Sequence, residues 1–453
     1  MTMTRLDPHD GSHLGDVAVS DLDAVIAAVR RARAAFGAWS TTAPADRGAA
    51  LHAAADALET RLDEIADLNH RETGKTPGDS RGGAEAGIGT LRQYAELGPV
   101  HRGRALQGSF TAIDYAIPRP RGVVVAITPW NDPVAIACGL LGAALVTGNA
   151  VVHKPSERCP HLGELLGSIL APCFPEGVLQ TVSGDHTTGR ALTEQADVDL
   201  VAHVGSTAAG RAIEQAAALH DTKVIRENGG NDPLVIDRDV DPAWAAEQAA
   251  LGAYANGGQI CTSVERIYVH RDLAQAFTAE LVKATEARNE SGELPPLVDT
   301  AMRDAVHGQV ADAIQQGATV EAGGEVPSGP GAFYPATVLT NVEDSMAVMA
   351  EETFGPVAPV CVVEDFEEGL RRAAATSYGL AATVLTGSMD HAQRAAATLP
   401  VGTVKVNAVF GGAPGGAAEP RGASGHGYGY GPELLDEMTQ TTVVHLAPPR
   451  AQA

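Results

Sequence analysis

The sequence predicts an α/β protein in which helices cover parallel sheets, and three observations lead to this prediction. From residue 122 onward, short apolar runs of strand length alternate with longer segments of helical periodicity. The first of these runs, residues 122–127, is apolar throughout, as expected of a strand buried on both faces. A chain of 453 residues is long enough to form two or three domains around a large core. This alternation is typical of strands joined by helical crossovers.

The spacing of the apolar residues places the elements along the chain. Helices are expected at 21–36 and 43–72, followed by a turn-rich patch at 74–89. The first alternating region should contain strands at 122–127, 150–153, 178–182 and 200–204, with helices at 133–147, 160–171, 188–196 and 207–219. The second, which begins near Asn231, should contain strands at 266–270, 357–363, 381–386 and 401–407, with helices at 242–254, 272–288, 366–376 and 389–398. Short strands are predicted at 109–119 and 441–445, and a glycine-rich loop at 411–431.

The composition argues against several classes of function. The chain carries 32 basic and 56 acidic residues, and the resulting net charge of −24 disfavours nucleic acid and anionic membranes as partners. Its five cysteines are scattered without a CxxC pair, so neither a metal site nor a redox dithiol is expected. No segment reaches the roughly 20 apolar residues of a membrane span, and residues 1–15 do not resemble a signal sequence. A reducing, cytoplasmic setting is the expectation.

Cys261 is the candidate nucleophile, because it follows a glycine-rich bend in the string Gly-Gly-Gln-Ile-Cys-Thr at 257–262. A thiolate attacks carbonyl groups, so the site must lower the thiol pKa or supply a base. Glu227 could supply that base, since Gly229 and Gly230 leave its side chain room to swing towards the sulfur. Taken alone, a glutamate at the end of a strand is more often a solvated charge, and a single cysteine is more often a buried apolar residue.

Together with Thr-Pro-Trp-Asn at 128–131, these strings closely resemble the hydrolytic, NAD(P)-dependent aldehyde dehydrogenase superfamily over nearly the whole chain. The resemblance implies that Cys261 attacks the aldehyde, that the Asn131 amide and the Cys261 N–H hold the oxyanion, and that Glu227 activates water. The expected reaction is oxidation of an aldehyde to a carboxylic acid through a Cys thiohemiacetal and a thioester. Glu227 disfavours the branch that transfers the acyl group to CoA. Acyl transfer to CoA, esterase chemistry at the same cysteine and a non-catalytic binding protein stay as alternatives.

A nucleotide site is expected where the string 204–210 ends a strand and begins a helix, because free N–H groups there suit a pyrophosphate. In the resembled family, Lys154 and Glu157 reach the adenosine ribose, while Glu352 and Phe354 hold the nicotinamide half. A carboxylate at 157 repels a 2′-phosphate, so NAD is preferred over NADP, although NADP stays open. The expected cofactor-binding residues are Thr128, Trp130, Lys154, Ser156, Glu157, Gly205, Ser206, Gly229, Glu352 and Phe354.

Three of the positions that depart from the pattern of the family bear on the entrance or on the movement of protons. Asp132 stands where relatives usually carry Phe or Tyr at the aldehyde entrance. It either makes an acidic mouth that favours cationic or hydroxyl-bearing aldehydes, or is a turn residue bonded to nearby backbone. Ile260 and Thr262, which flank the cysteine, are the other candidates for the substrate pocket. Leu140 and Gly429 replace a Lys and a Glu that help to move protons away from the base, which leaves the proton route open.

The resemblance also implies a domain organisation. Residues 1–108 and 121–229 should form a Rossmann-like NAD(P)-binding domain, and residues 230–432 an α/β catalytic domain. Residues 109–120 and 433–453 should form a small bridging β-sheet between subunits. The partners expected are therefore an aldehyde and further copies of this chain, in a homodimer or a homotetramer.

Overall fold

The structure, a computed structural model, describes residues 2–412 and 416–449. The strands are β1 (Thr2–Leu6), β2 (His13–Ala18), β3 (Arg104–Leu106), β4 (Ile113–Pro120), β5 (Val123–Ile127), β6 (Ala150–Lys154), β7 (Leu179–Thr181), β8 (Leu200–Val204), β9 (Lys223–Glu227), β10 (Asp232–Ile236), β11 (Val264–His270), β12 (Thr319–Ala322), β13 (Thr337–Thr340), β14 (Val357–Val363), β15 (Ala381–Leu385), β16 (Thr403–Val406), β17 (Gly425–His426) and β18 (Thr439–Leu446). The helices are α1 (Leu22–Thr41), α2 (Pro44–Thr60), α3 (Leu62–Thr73), α4 (Pro77–Val100), α5 (Pro133–Val146), α6 (Pro160–Leu170), α7 (His186–Thr193), α8 (Thr207–Ala217), α9 (Pro242–Tyr254), α10 (Arg271–Ser291), α11 (Thr300–Gln315), α12 (Ala347–Ala350), α13 (Phe366–Ala374), α14 (Met389–Thr398) and α15 (Glu433–Glu437).

The first large sheet has the strand order β17-β9-β8-β5-β6-β7. All its neighbouring strands are parallel except β17, which pairs antiparallel with β9. The chain leaves β5 towards β6 and β7, and then returns to add β8 and β9 on the other side of β5. Such a reversal opens a crevice beyond the carboxyl ends of the central strands, where α/β proteins bind their ligands.

The second large sheet has the order β12-β13-β14-β11-β10-β15-β16 and is parallel except at the β12–β13 edge. Two apolar clusters pack against its faces. Two further clusters enclose the first sheet, so both sheets are buried on both sides as their apolar strands predict. The predicted α/β fold class is confirmed.

A third, small sheet joins β18, β4 and β3 in antiparallel pairs. It contains both short strands predicted at 109–119 and 441–445. Its apolar side chains are unusually exposed: Ile113 is 64% and Val443 63% accessible to solvent. An exposed apolar surface of this kind is typical of interaction sites.

The turn-rich patch predicted at 74–89 is wrong, because α4 begins at Pro77 and runs through it. Thr76 caps the helix and Pro77 occupies its first turn, a common start for a helix. The glycines of this patch suggested turns, but Gly87 serves close helix packing, because a Cβ there would lie 3.0 Å from the Val134 carbonyl oxygen on α5. Further along α4, a Cβ at Gly98 would lie 2.1 Å from a methyl group of Val146.

Several smaller differences follow from tertiary structure. The helix predicted at 43–72 is broken near Arg61 into α2 and α3. The β1–β2 hairpin and the strands β10, β12 and β13 were not predicted. Part of the predicted glycine-rich loop, residues 413–415, lies outside the described residues, and its later part forms the short strand β17. Across the described ranges, no helix combines the length and apolar content that crossing a membrane requires.

Candidate active site

The nucleophile loop, defined here as residues 255–263, connects α9 to β11 and carries Cys261. Its sharp bend places Asn256, Gly257 and Gly258 in the left-handed region, with φ values of 51°, 65° and 74°. Glycine is needed at 258, because a Cβ there would lie 2.1 Å from the carbonyl oxygen of Gly355. The bend therefore lets two backbone segments approach each other closely beside the sulfur.

Asn131 follows β5 and precedes α5, and its side chain points to the nucleophile loop. The Asn131 Nδ2 atom donates to the carbonyl oxygen of Gln259 at 3.1 Å, although the two residues are 128 positions apart. Gln259 is itself fixed, since its Oε1 accepts from the backbone N–H of Val298 at 2.9 Å. The amide of Asn131 thus lies at the loop that presents Cys261.

Glu227 is the last residue of β9, and its carboxylate lies against Gly429. A Cβ at 429 would lie 2.2 Å from the carboxyl carbon of Glu227, so only glycine leaves room for this side chain. Burial raises the pKa of Glu227 from 4.5 to about 7, although the backbone N–H of Gly429 opposes the increase. Near neutral pH this group is therefore divided between its acid and base forms, as a general base requires.

The thiol of Cys261 is half-buried and surrounded by carboxyl groups. Burial raises its pKa from 9.0 to about 12, and the charges of Glu227, Asp232 and Glu352 act in the same direction. The ammonium group of Lys405 opposes them. The sulfur is consequently a neutral thiol at pH 7, so its attack on a carbonyl requires a proton acceptor.

Sequence reasoning missed Asp232 and Lys405. Asp232 begins β10; its Oδ1 accepts from the backbone N–H of Ala381 at 3.1 Å, and burial raises its pKa well above the usual range. Lys405 lies on β16, where burial lowers its pKa while the nearby Asp232 opposes the decrease. A lysine between two valines, inside the strand predicted at 401–407, was the available signal for it.

A cleft of about 800 Å³ opens beyond the carboxyl ends of β5, β6 and β8. Its wall includes seven of the expected cofactor-binding residues: Thr128, Trp130, Lys154, Ser156, Glu157, Gly205 and Ser206. Ser206 caps α8, with its Oγ accepting from the backbone N–H of Ala209 at 3.3 Å, so the positive end of this helix faces the cleft. Lys154 Nζ lies 3.5 Å from a carboxylate oxygen of Glu157.

The other three expected cofactor residues connect this cleft to the nucleophile loop. The Glu352 carboxylate packs directly over Gly229, where a Cβ would lie 2.0 Å from both carboxylate oxygens. Its Oε1 accepts from the backbone N–H of Gly230 at 3.2 Å, and burial, followed by the charge of Glu265, raises its pKa to about 9. The ring of Phe354 meets that of Trp130 edge to face, with centroids 5.5 Å apart.

The side chain of Asp132 forms an ion pair. Its Oδ1 lies 3.1 Å from Lys75 Nζ, and the same ammonium donates to the Asn131 carbonyl oxygen at 3.2 Å. Lys75 is nearly buried, and its charge compensates that of Asp132. The entrance therefore does not present an unpaired acid, and the side chain does not cap α5 either.

The remaining positions singled out in the sequence are simpler. Ile260 and Thr262 are half-buried on either side of Cys261. Leu140 lies in the apolar core around the first sheet, with 1% of its surface exposed. It has no polar atom on its side chain and cannot relay a proton from Glu227. In the described part of the chain, no group of three or more metal-binding side chains is assembled.

Known proteins resemble this chain over its whole length. The model of the aldehyde dehydrogenase family matches residues 1–444. The 2-hydroxymuconic semialdehyde dehydrogenase of Pseudomonas sp. strain CF600 is 34% identical over 429 residues, which cover 90% of this chain and 88% of that protein. Betaine aldehyde dehydrogenase 1 of Rhizobium meliloti is 35% identical over 402 residues, covering 85% of this chain and 81% of that protein.

Solved structures agree with these relatives. The crystal structure of betaine aldehyde dehydrogenase from Staphylococcus aureus in complex with NAD+ superposes with a TM-score of 0.96 and 28% sequence identity. The match covers 100% of this chain and 92% of that one. The predictions of the family, the reaction class and the cofactor class are confirmed. The chain belongs to the aldehyde dehydrogenase family and is an enzyme that oxidises an aldehyde to a carboxylic acid with NAD(P)+.

Proposed function

We propose that Cys261 is the nucleophile, that Asn131 and the Cys261 backbone N–H stabilise the oxyanion, and that Glu227 is the general base. The observation that carries this proposal is the meeting of three distant segments. The carboxamide of Asn131 lies at the nucleophile loop, and the charge of Glu227 acts on the Cys261 thiol. Donors fixed in advance of the reaction stabilise a developing oxyanion without the cost of reorganising water.

The proton transfers of the reaction follow from the pKa values of Cys261 and Glu227. Cys261 must lose a proton as it attacks the carbonyl carbon, because its pKa of about 12 keeps it neutral at pH 7. The proton passes to the carbonyl oxygen, which becomes the hydroxyl group of a thiohemiacetal on the sulfur. Oxidation of the thiohemiacetal to a thioester releases this proton and a hydride, which bound NAD(P)+ would accept. Glu227, whose pKa is about 7, then takes a proton from water so that the hydroxide equivalent can attack the thioester. Release of the carboxylic acid restores the thiol.

The cleft fits a dinucleotide. It has a volume of about 800 Å³ and lies at the reversal of strand order, with the N-terminus of α8 and the Gly205–Ser206 turn available for phosphate groups. Glu352, Phe354 and Gly229 continue it towards Cys261. When it is bound, NAD(P)+ supplies the two-electron acceptor for the oxidation.

NAD is the preferred cofactor in this proposal. Glu157 lies in the wall of the cleft, and its carboxylate is only partly compensated by Lys154 at 3.5 Å. A 2′-phosphate placed near this pair would meet a negative charge.

The finer organisation of the protein is also part of the proposal. Residues 1–108 and 121–229 bind the dinucleotide, residues 230–432 carry the nucleophile, and residues 109–120 and 433–453 bridge subunits of a homo-oligomer. The exposed apolar side chains Ile113 and Val443 of the small sheet support the last assignment. All five cysteines are free thiols, which supports a reducing compartment such as the cytoplasm.

The proposal is tested by replacing Cys261 with alanine. We expect the Cys261→Ala enzyme to lose aldehyde-dependent reduction of NAD+ while it still binds NAD+, as measured by calorimetry. Cys173→Ala is the matched control, because Cys173 is also a half-buried free thiol but lies away from the cleft. Turnover that persists in Cys261→Ala would refute the assignment, and Cys173→Ala should keep the wild-type rate.

A further inference from the structure

We propose that Lys405 binds an anionic group on the aldehyde, so that the preferred substrates of this enzyme carry a carboxylate or a similar anion. The inference rests on the proposed role of Cys261, and it adds the substrate class. Three observations support it: the position of Lys405, the absence among the described residues of a carboxylate paired with its ammonium group, and the reduced negative charge of the acids around the thiol.

The sheet register brings Lys405 to the side of the nucleophile. Lys405 is the register partner of Thr383 on β15, and Thr383 is the partner of Leu234 on β10. Asp232 lies two residues before Leu234 and therefore on the same face of the sheet. A Cβ built at Gly230 would touch both an Asp232 carboxylate oxygen, at 2.6 Å, and the Cys261 carbonyl oxygen, at 2.8 Å. Lys405 and Cys261 therefore both lie close to Asp232, and Lys405 is close enough to Cys261 to lower its pKa.

The ammonium group of Lys405 has no counterion in the described part of the chain, where no carboxylate oxygen lies within 4.0 Å of it. It donates once, to the Val409 carbonyl oxygen at 2.7 Å, and lies 5.5 Å from the ring centroid of Phe410. An ammonium has three donors, so two are left for a ligand. The cations Lys75 and Lys154 are instead paired with Asp132 and Glu157.

A half-buried charge without a partner is unfavourable, because burial removes hydration that nothing replaces. Lys405 is in this situation, as its lowered pKa indicates. An anion on the substrate would supply both the missing charge and acceptors for the two free donors. Charge-assisted hydrogen bonds of this kind are about twice as strong as neutral ones.

The acids around the thiol do not cancel this preference. Burial raises the pKa of Glu352 to about 9, so this group is protonated near neutral pH. Burial also raises the pKa of Asp232 well above its usual range, which disfavours its charged form. Glu227, with a pKa of about 7, is ionised in only part of the molecules. At the entrance, Asp132 is paired with Lys75 and offers no free charge to a cationic aldehyde.

Lys405 could instead act only on the protein, by balancing Asp232 or by favouring the thiolate of Cys261. That alternative makes a different prediction. A charge that merely supports the site would affect every aldehyde equally, whereas a charge that binds the substrate would change the selectivity between charged and uncharged aldehydes.

The test uses 4-oxobutanoate and 4-methylpentanal, which have the same shape but differ in the presence of a carboxylate. The selectivity is the ratio of their kcat/KM values with saturating NAD+. In the wild-type enzyme we expect this ratio to favour 4-oxobutanoate. In Lys405→Met it should fall about tenfold or more, mainly through KM for the anion, while Lys405→Arg retains most of it.

Equal losses on both aldehydes in Lys405→Met, or a wild-type enzyme that prefers 4-methylpentanal, would overturn the proposal. The wild-type ratio decides the question even if Lys405→Met fails to fold. Failure of the underlying function is distinguishable, because it would appear as turnover of both aldehydes by the Cys261→Ala enzyme.

Discussion

Replacing Glu227 with glutamine separates the two proton transfers in the proposed reaction. The glutamine keeps the size of the side chain and its place against Gly429, but it cannot accept a proton from water. A positioned general base contributes about 10²- to 10⁴-fold to the step that it serves. We therefore expect steady-state turnover of Glu227→Gln to fall by about that factor, while the first turnover still produces one equivalent of NADH per active site.

The pH dependence follows from the pKa of Glu227, which is about 7. Only the deprotonated form is a base, so the hydrolytic step should accelerate as the pH rises through about 7 and level off above it. Glu227→Gln should lack this rise. The exposed Glu433 on α15 provides the control, and Glu433→Gln should keep both the rate and the pH profile.

Alkylation of the thiol gives a second, independent result. The negative charge of Glu227 raises the pKa of Cys261, so its removal should lower that pKa and increase the thiolate fraction. Iodoacetamide should then react faster with Glu227→Gln than with the wild-type enzyme at the same pH. Slower alkylation, together with loss of the first turnover, would show that Glu227 serves the attack by the thiol and would refute the role assigned to it here.

Two further predictions concern Gly429 and Glu157. A Cβ at 429 would lie 2.2 Å from the carboxyl carbon of Glu227, so Gly429→Ala should displace the base. Steady-state turnover should then slow, while stopped-flow measurements still show the NADH burst. A full wild-type rate of turnover would contradict this contact. Glu157→Gln should improve kcat/KM for NADP+ relative to NAD+ by about fivefold, because removing one partly screened like charge is worth about 1 kcal/mol. An unchanged ratio would mean that Glu157 does not face the 2′ position of the bound cofactor.

Much of the fold could be predicted because its strands are buried on both faces. The apolar runs predicted at 122–127 and 150–153 coincide with β5 and β6, and the helix between them, α5, is apolar on all sides and almost entirely buried. The failure at α4 has a physical cause. Gly87, in the predicted turn-rich patch, was interpreted as a turn former, but its small size is used for contact with α5, which no local pattern records.

The residues of the candidate site also divide into those that the sequence could predict and those that it could not. Asn131, Glu227 and Cys261 lie in distinctive strings, and the resemblance of those strings to one family pointed to them. The sequence alone could not place Lys405 and Asp232 at this site, because their proximity depends on the register of β10, β15 and β16. Neither interpretation of Asp132 included an ion pair, because its partner Lys75 lies 57 positions away in the sequence.

The most direct test of the central claim is to trap the reaction on the sulfur. The Glu227→Gln enzyme would be mixed with an aldehyde and NAD+, quenched in acid, digested and mapped by mass spectrometry. We expect the mass of one acyl group on the peptide that contains Cys261, and none on the peptides of the other four cysteines. An unmodified Cys261 peptide after a full equivalent of NADH has formed would contradict the account.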